Sequence, residues 1–152
     1  MTTATSTSSK TTCDINLVGP FVRSTKEVFK KMLHSDCLVG EVHPELHGHK
    51  MHSVTAMIGL SGCFCGSIAL SMPVSGALEI LKRMTGMEST EVDELVRDCI
   101  GEMTNMIAGK GKLELSQFAF HLGLPQVIVG SEYTVYSPRW AKHYWLPLET
   151  DF

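Results

Sequence analysis

"HSVTAMIGLSGCFCGSIALSMP" runs from His52 to Pro73. Val54, Ala56, Ile58 and Leu60 alternate with smaller or more polar neighbours. Ile68, Leu70 and Met72 resume the alternation after a turn between Gly62 and Gly66. Side chains of a strand point to opposite faces with period two, so the stretch predicts a β-hairpin with one packed face and one less buried. The hairpin lies within a longer segment, Met51 to Leu78, that contains no Asp, Glu, Lys or Arg. Glycines, serines and Pro73 interrupt that segment, and a membrane-spanning helix needs about 18 or more consecutive apolar residues. Pro73 is suited to the first turn of a helix. Ala77, Ile80, Leu81 and Met84 then follow at i, i+3, i+4 and i+7, with Gly86 placed to end that helix in a left-handed conformation.

Working outward, 152 residues with 43% hydrophobic content fit one globular domain with a sizeable core. The formal charge of −3 offers no basic footprint for nucleic acid. Cys13, Cys37, Cys63, Cys65 and Cys99 are odd in number, and no secretory signal precedes them. Reduced thiols in a cytoplasmic protein are the expectation. Residues 1–12, "MTTATSTSSKTT", are nine Ser/Thr in twelve and are expected to form a disordered tail before a single domain over 13–152.

"DINLVGPFVRSTKEVFKKMLHS" reads as a helix capped by Asp14 or Asn16, with Phe21, Thr25, Val28, Phe29 and Met32 near one face. "EVHPELHGHKMH" reads as a short strand plus loop. The C-terminal third is rich in β-branched and aromatic residues and predicts two to four strands. Helices and strands do not alternate strictly, so the class is α+β. Residues 21–33 also align with 95–107 at an offset of 74, which would make the fold a pseudo-symmetric pair of helices over one sheet.

"DCIGEMTNMIAGKGK", Asp98 to Lys112, belongs to a helix expected over about 91–108, opened by a capping box at Thr90 and Asp93 and stopped by Gly109. At about 100° per residue, Val96, Ile100, Met103 and Ile107 make one stripe. Asp98, Glu102 and Asn105 lie roughly opposite, close to one another. From pattern alone this is a solvated helix face.

Other groupings point to bland roles. His43, His47, His49 and His52 invite a metal, but Pro44 and Gly48 make a loop whose spacing matches no familiar site. Cys63 and Cys65 have no second pair and are expected to be small buried hydrophobes, as is Cys99. "GKGK" (109–112) lacks the order of a phosphate loop and follows a helix instead of preceding one.

Asp98-x-x-x-Glu102-x-x-Asn105, followed by "MIAG" and by "LGLP" ending at Pro125, resembles the signature of the CheC/CheX/FliY chemotaxis phosphatases. "DINLVGPFVRSTKEVF", "IGLSGCFCGSIALSMP" and "LPQVIVG" are similar to the corresponding parts of CheX-like members, so the resemblance covers roughly residues 14–152. Members with two sites carry Glu-x-x-Asn on both repeat helices. The offset of 74 puts Val28 and Lys31 there, which points to the single-site, CheX-like group. The family's chains usually continue beyond "PLETDF" into a final strand, which leaves open whether that strand is present here.

The resemblance implies a pseudo-symmetric α+β fold with long helices packed on a largely antiparallel sheet. It implies a phosphatase that hydrolyses the phosphoaspartate of a phosphorylated CheY-type response regulator, or, if catalysis is lost, a docking module for a regulator or flagellar component. Asn105 would position the attacking water, and Glu102 would pair with the regulator's active-site lysine. Asp98 and Pro125 would support partner binding. No cofactor or metal is expected in this chain, because the regulator holds its own Mg²⁺. A cytoplasmic homodimer is expected, without membrane or nucleic-acid partners.

Overall fold

The computed structural model describes residues 12–45 and 48–152. Strands β4 (Val54–Gly62) and β5 (Gly66–Met72) form the expected hairpin, antiparallel from Val54 opposite Met72 to Leu60 opposite Gly66. Val54, Ala56, Ile58, Leu70 and Met72 are buried on its core side. On the other face, Thr55 is also buried, sharing hydrogen bonds with Ser71 (2.8 Å) and the Tyr133 hydroxyl (2.5 Å). At the turn Gly62 has φ +121°, and a Cβ there would lie 2.7 Å from the Ala119 carbonyl oxygen. Only glycine fits that conformation and that approach.

The other edge of β4 pairs with β6 (Phe120–Leu122) and β7 (Gln126–Val129), both antiparallel. Between the pairs Leu60–Leu122 and Met57–Gln126, β4 spends Ile58 and Gly59 while the opposite chain spends Gly123, Leu124 and Pro125. One extra residue on one side is a β-bulge, a place where proline is tolerated because it owes the ladder no N–H. The Gly123 N–H donates to the Gly59 carbonyl at 2.8 Å and pins the bulge.

Helices α1 (Thr12–Leu33), α2 (Val74–Thr85) and α3 (Glu94–Glu114) share one core with this sheet. Ala77, Ile80 and Leu81 of α2 are buried as their spacing predicts, and Gly86 caps α2 at φ 74°. The remaining strands are β1 (Leu38–Val39), β2 (His43–Glu45), β3 (Gly48–Lys50), β8 (Thr134–Tyr136), β9 (His143–Trp145) and β10 (Leu148–Glu149). They pair as β1–β10, β2–β9 and β3–β8, three short antiparallel ladders along one ribbon. The C-terminal third thus holds five strands among the described residues, not two to four. Isolated ladders of two or three residues are too short for alternation to announce them. The polar His-rich segment, expected as one strand and a loop, supplies β2 and β3.

The expected tail lies outside the described residues except for Thr12, which is helical. Asp14 and Asn16, expected ahead of the helix as its cap, lie within α1. α3 starts later and ends later than expected. Asp93, not Thr90, is its N-cap: the Asp93 carboxylate accepts the Val96 N–H at 2.9 Å and the Ser89 hydroxyl at 2.9 Å. These donors, the Val96 N–H first, hold the Asp93 carboxyl below its usual range. Gly109 does not stop the helix, which runs through "GKGK" to Glu114. Packing overrides the two glycines' low helix propensity. A Cβ on Gly111 would lie 2.3 Å from the Phe21 ring, so Gly111 is where α1 crosses close to α3.

α1 and α3 run antiparallel and side by side. Phe21 faces Gly111, and further along α1 the buried Ser24 hydroxyl donates to the Ile107 carbonyl at 2.8 Å. Arg23–Glu114 and Glu27–Lys110 ion pairs flank this seam. The packing is what a helix repeat requires, but the register is corrected. At an offset of 74, Val28, which is 0% exposed, would match exposed Glu102. At 75, Ser24, Val28, Phe29 and Leu33 match Cys99, Met103, Thr104 and Ala108, all buried. Glu27 then stands where α3 has Glu102, and Lys30 where it has Asn105.

Candidate functional site

α3 carries the site because its two sides face different media. Val96, Ile100, Met103 and Ile107 are buried, each worth about 1.5–3 kcal/mol of apolar burial. They fix the helix's rotation, so Asp98 and Glu102 are exposed and Asn105 is half-buried. Among the described residues, the side chains of Asp98, Glu102 and Asn105 make no hydrogen bond or ion pair, unlike their neighbour Lys110, which pairs with Glu27 at 3.0 Å. Glu27, in turn, is held below its usual carboxyl range by hydrogen bonds from Lys31 and then Lys110. Two exposed carboxylates and an amide, uncommitted inside the chain, are free to engage something outside it.

Pro125 belongs to the same place. Its ring carbons lie 3.7 Å from where a Cβ of Gly101 would stand, beside a Val127 methyl at the same distance. Asn105 is about 40° round the helix from Gly101 and one turn further on. The bulged proline therefore packs on the turn of α3 that precedes Asn105. Asp98, Glu102 and Asn105 thus share α3, and Pro125 of the pinned bulge packs against the same helix at Gly101. The bulge that aims Pro125 was not legible: a one-residue mismatch between strands leaves no mark in either strand alone.

Chemically, the arrangement can accept a cation at Glu102 and hold a small polar molecule at Asn105, whose amide both donates and accepts. No group of three or more His, Cys, Asp or Glu suited to a metal occurs among the described residues. His43 and His49 lie in the β2 and β3 ladders, the His49 ring stacks on Trp145 at 3.5 Å, and His47 lies outside the described residues. The cysteine expectation is half corrected. Cys37 and Cys99 are buried, and burial raises both thiols above their usual pKa, whereas Cys63 and Cys65 are exposed on the β4–β5 turn. Phe64 between them takes the inward position against Phe118 and Phe120, turning both thiols outward. No helix of the described residues is long and apolar enough to cross a membrane.

Comparison with known proteins identifies the family and the fold. Residues 54–149 match the family described as "Chemotaxis phosphatase CheX". The CheY-P phosphatase CheX of Thermotoga maritima is 30% identical over 127 residues, covering 82% of each chain. The crystal structure of CheX from Desulfovibrio desulfuricans superposes with a TM-score of 0.81 at 27% identity, covering 90% of this chain and 92% of that one. The fold also matches a CheX–CheY complex with beryllium fluoride and magnesium from Borrelia burgdorferi, at a TM-score of 0.63 and 22% identity, over 88% of this chain and 97% of that one. This chain belongs to the CheX family of chemotaxis phosphatases.

Proposed function

We propose that this protein hydrolyses the phosphoaspartate of a CheY-type response regulator, with Asn105 holding the attacking water in line with phosphorus and Glu102 pairing with the regulator's active-site lysine. Support comes from the relative in Thermotoga maritima, a CheY-P phosphatase. The observation that carries the residue assignment is the uncommitted Glu102–Asn105 pair on the one accessible face of α3. Phosphoryl transfer needs positioning and charge stabilisation more than covalent help from the protein. The regulator's Mg²⁺ supplies the charge. Asn105 supplies position, lowering the entropic barrier without a strong base. Asp98 beside Glu102 and Pro125 beside Asn105 complete the docking surface. The chain itself needs no cofactor, and it works as a cytoplasmic homodimer, as the family resemblance implies.

The test is phosphate release measured over a range of phosphorylated-regulator concentrations up to saturation. Asn105→Ala leaves the buried stripe untouched and should lower kcat on the order of a hundredfold with folding intact. Glu102→Ala should chiefly raise KM, increasingly so as salt is lowered and the wild-type ion pair strengthens. Equal kcat for wild type and Asn105→Ala would remove Asn105 from the water site. A wild type that binds the regulator without accelerating release would make the protein a docking module instead.

A further inference from the structure

Glycine inside a helix lowers the folding equilibrium about four- to fivefold relative to alanine, so each glycine of α3 calls for a reason. Gly111 has one: a Cβ there would strike the Phe21 ring. Gly101 is buried, with Pro125 and Val127 packed 3.7 Å from where its Cβ would stand. Gly109 has none. It does not end the helix, which runs on to Glu114. Its backbone is not left-handed; the glycines with positive φ among the described residues are Gly62 and Gly86. A Cβ added to Gly109 would meet no atom of a neighbouring element within 4 Å. Nothing among the described residues requires the side chain to be missing.

The place of Gly109 on the helix is fixed by geometry. At 100° and 1.5 Å per residue it lies about 40° round from Asn105 and about 20° from Glu102, some 6 Å beyond Asn105 along the axis. Asp98, Glu102, Asn105 and Gly109 stand at i, i+4, i+7 and i+11, one line on the side opposite the buried Val96, Ile100, Met103 and Ile107. Three uncommitted polar side chains are thus followed, one turn on, by bare backbone. Cα atoms lie about 2.3 Å from the axis and side chains reach about 5–6 Å, so the helix surface over a glycine is lower by roughly 3 Å. Asn105 has a short side chain and is half-buried. A partner whose reacting phosphorus stands one water away from that amide must come down close onto the helix there. A long side chain one turn away, on the same line, would prop it off.

We propose that Gly109 is a clearance residue: the regulator packs directly on the exposed backbone of α3 at this turn, and the missing side chain lets its acyl phosphate reach Asn105. Gly109 touches neither the phosphorus nor the attacking water and acts as a positioning residue. The inference rests on the proposed phosphatase reading and adds a second requirement to it, open space beside the polar pair.

The experiment compares wild type, Gly109→Ala and Gly109→Gln in thermal unfolding and in a steady-state titration of phosphorylated regulator. Both substitutions favour the helix, so Gly109→Ala should raise Tm by about 2–4 °C and Gly109→Gln should be at least as stable as wild type. Activity should move the other way. Overfilling a close contact with one side chain weakens it about fivefold to a hundredfold, so Gly109→Gln should raise KM by that factor, and Gly109→Ala by less. A gain in stability with a loss of regulator affinity is a combination that a purely structural role does not produce. An active wild type matched in KM by a stable Gly109→Gln would overturn this inference alone, since nothing would then come close at that turn. A fall in kcat at unchanged KM would overturn it too, because the substitution would be acting on the chemistry and not on approach. Variants less stable than wild type would overturn its premise, that the chain itself has no need of this glycine. A wild type that neither binds nor dephosphorylates the regulator would overturn the functional reading and this inference with it.

Discussion

Gly111→Ala tests the close crossing of α1 and α3 that lets α3 run on past the site. A methyl at that position would stand 2.3 Å from Phe21 Cδ1 and 2.5 Å from Cε1. Carbon atoms pack best at about 3.5–4.0 Å, so the shortfall is more than ~1 Å. The contact is with the body of a ring, not the tip of a flexible chain, and relief requires the ring or α1 itself to shift. Overpacking of this kind costs about 1–3 kcal/mol. Alanine in a helix interior is favoured over glycine by roughly 0.8–1.0 kcal/mol, which works in the opposite direction. The net expectation is a loss of about 1 kcal/mol, or a fall in Tm of a few degrees for a domain of this size. In a Phe21→Ala background the obstructing ring is gone, and the same substitution should stabilise by up to about 1 kcal/mol. The sign reversal is the diagnostic. Urea unfolding of the four proteins in the double-mutant cycle measures it, with m-values checked for constancy. Gly111→Ala stabilising both backgrounds equally would refute the crossing.

Two further outcomes follow from burial. Val28→Glu, which the offset of 74 would treat as installing a second acidic site on α1, should instead destabilise by on the order of 3 kcal/mol or more, because it places an unpaired carboxylate at a 0% exposed position; a stably folded variant would restore the original register. In a Cys13→Ser background, a thiol reagent should modify Cys63 and Cys65 quickly in the native protein and Cys37 and Cys99 only after denaturation, since the latter pair is buried with raised pKa; four equally fast thiols would contradict the burial.

The sequence by itself determined what depends on local periodicity. Strict alternation placed the β4–β5 hairpin, and i, i+3, i+4 spacing placed α2 and the buried stripe of α3. That stripe was enough to set Asp98, Glu102 and Asn105 on the opposite face, because 100° per residue is a property of the chain and not of its surroundings. Tertiary structure decided what depends on contacts between distant segments. Gly109 looks like a helix stop, yet α3 runs on to Glu114, with Gly111 at the point where Phe21 of α1, ninety residues earlier in the chain, crosses close. The repeat register moved by one, since which side of α1 is buried is settled by α3 and not by residue identities. The polar 43–50 segment became strands only because 134–145 lies alongside it. The bulge at 123–125, which turns Pro125 onto α3 and leaves Leu124 in solvent, exists only as a difference in length between two paired strands. No window on one strand contains that difference, which is why the helix of the site was readable from the sequence and the shape of the surface beside it was not.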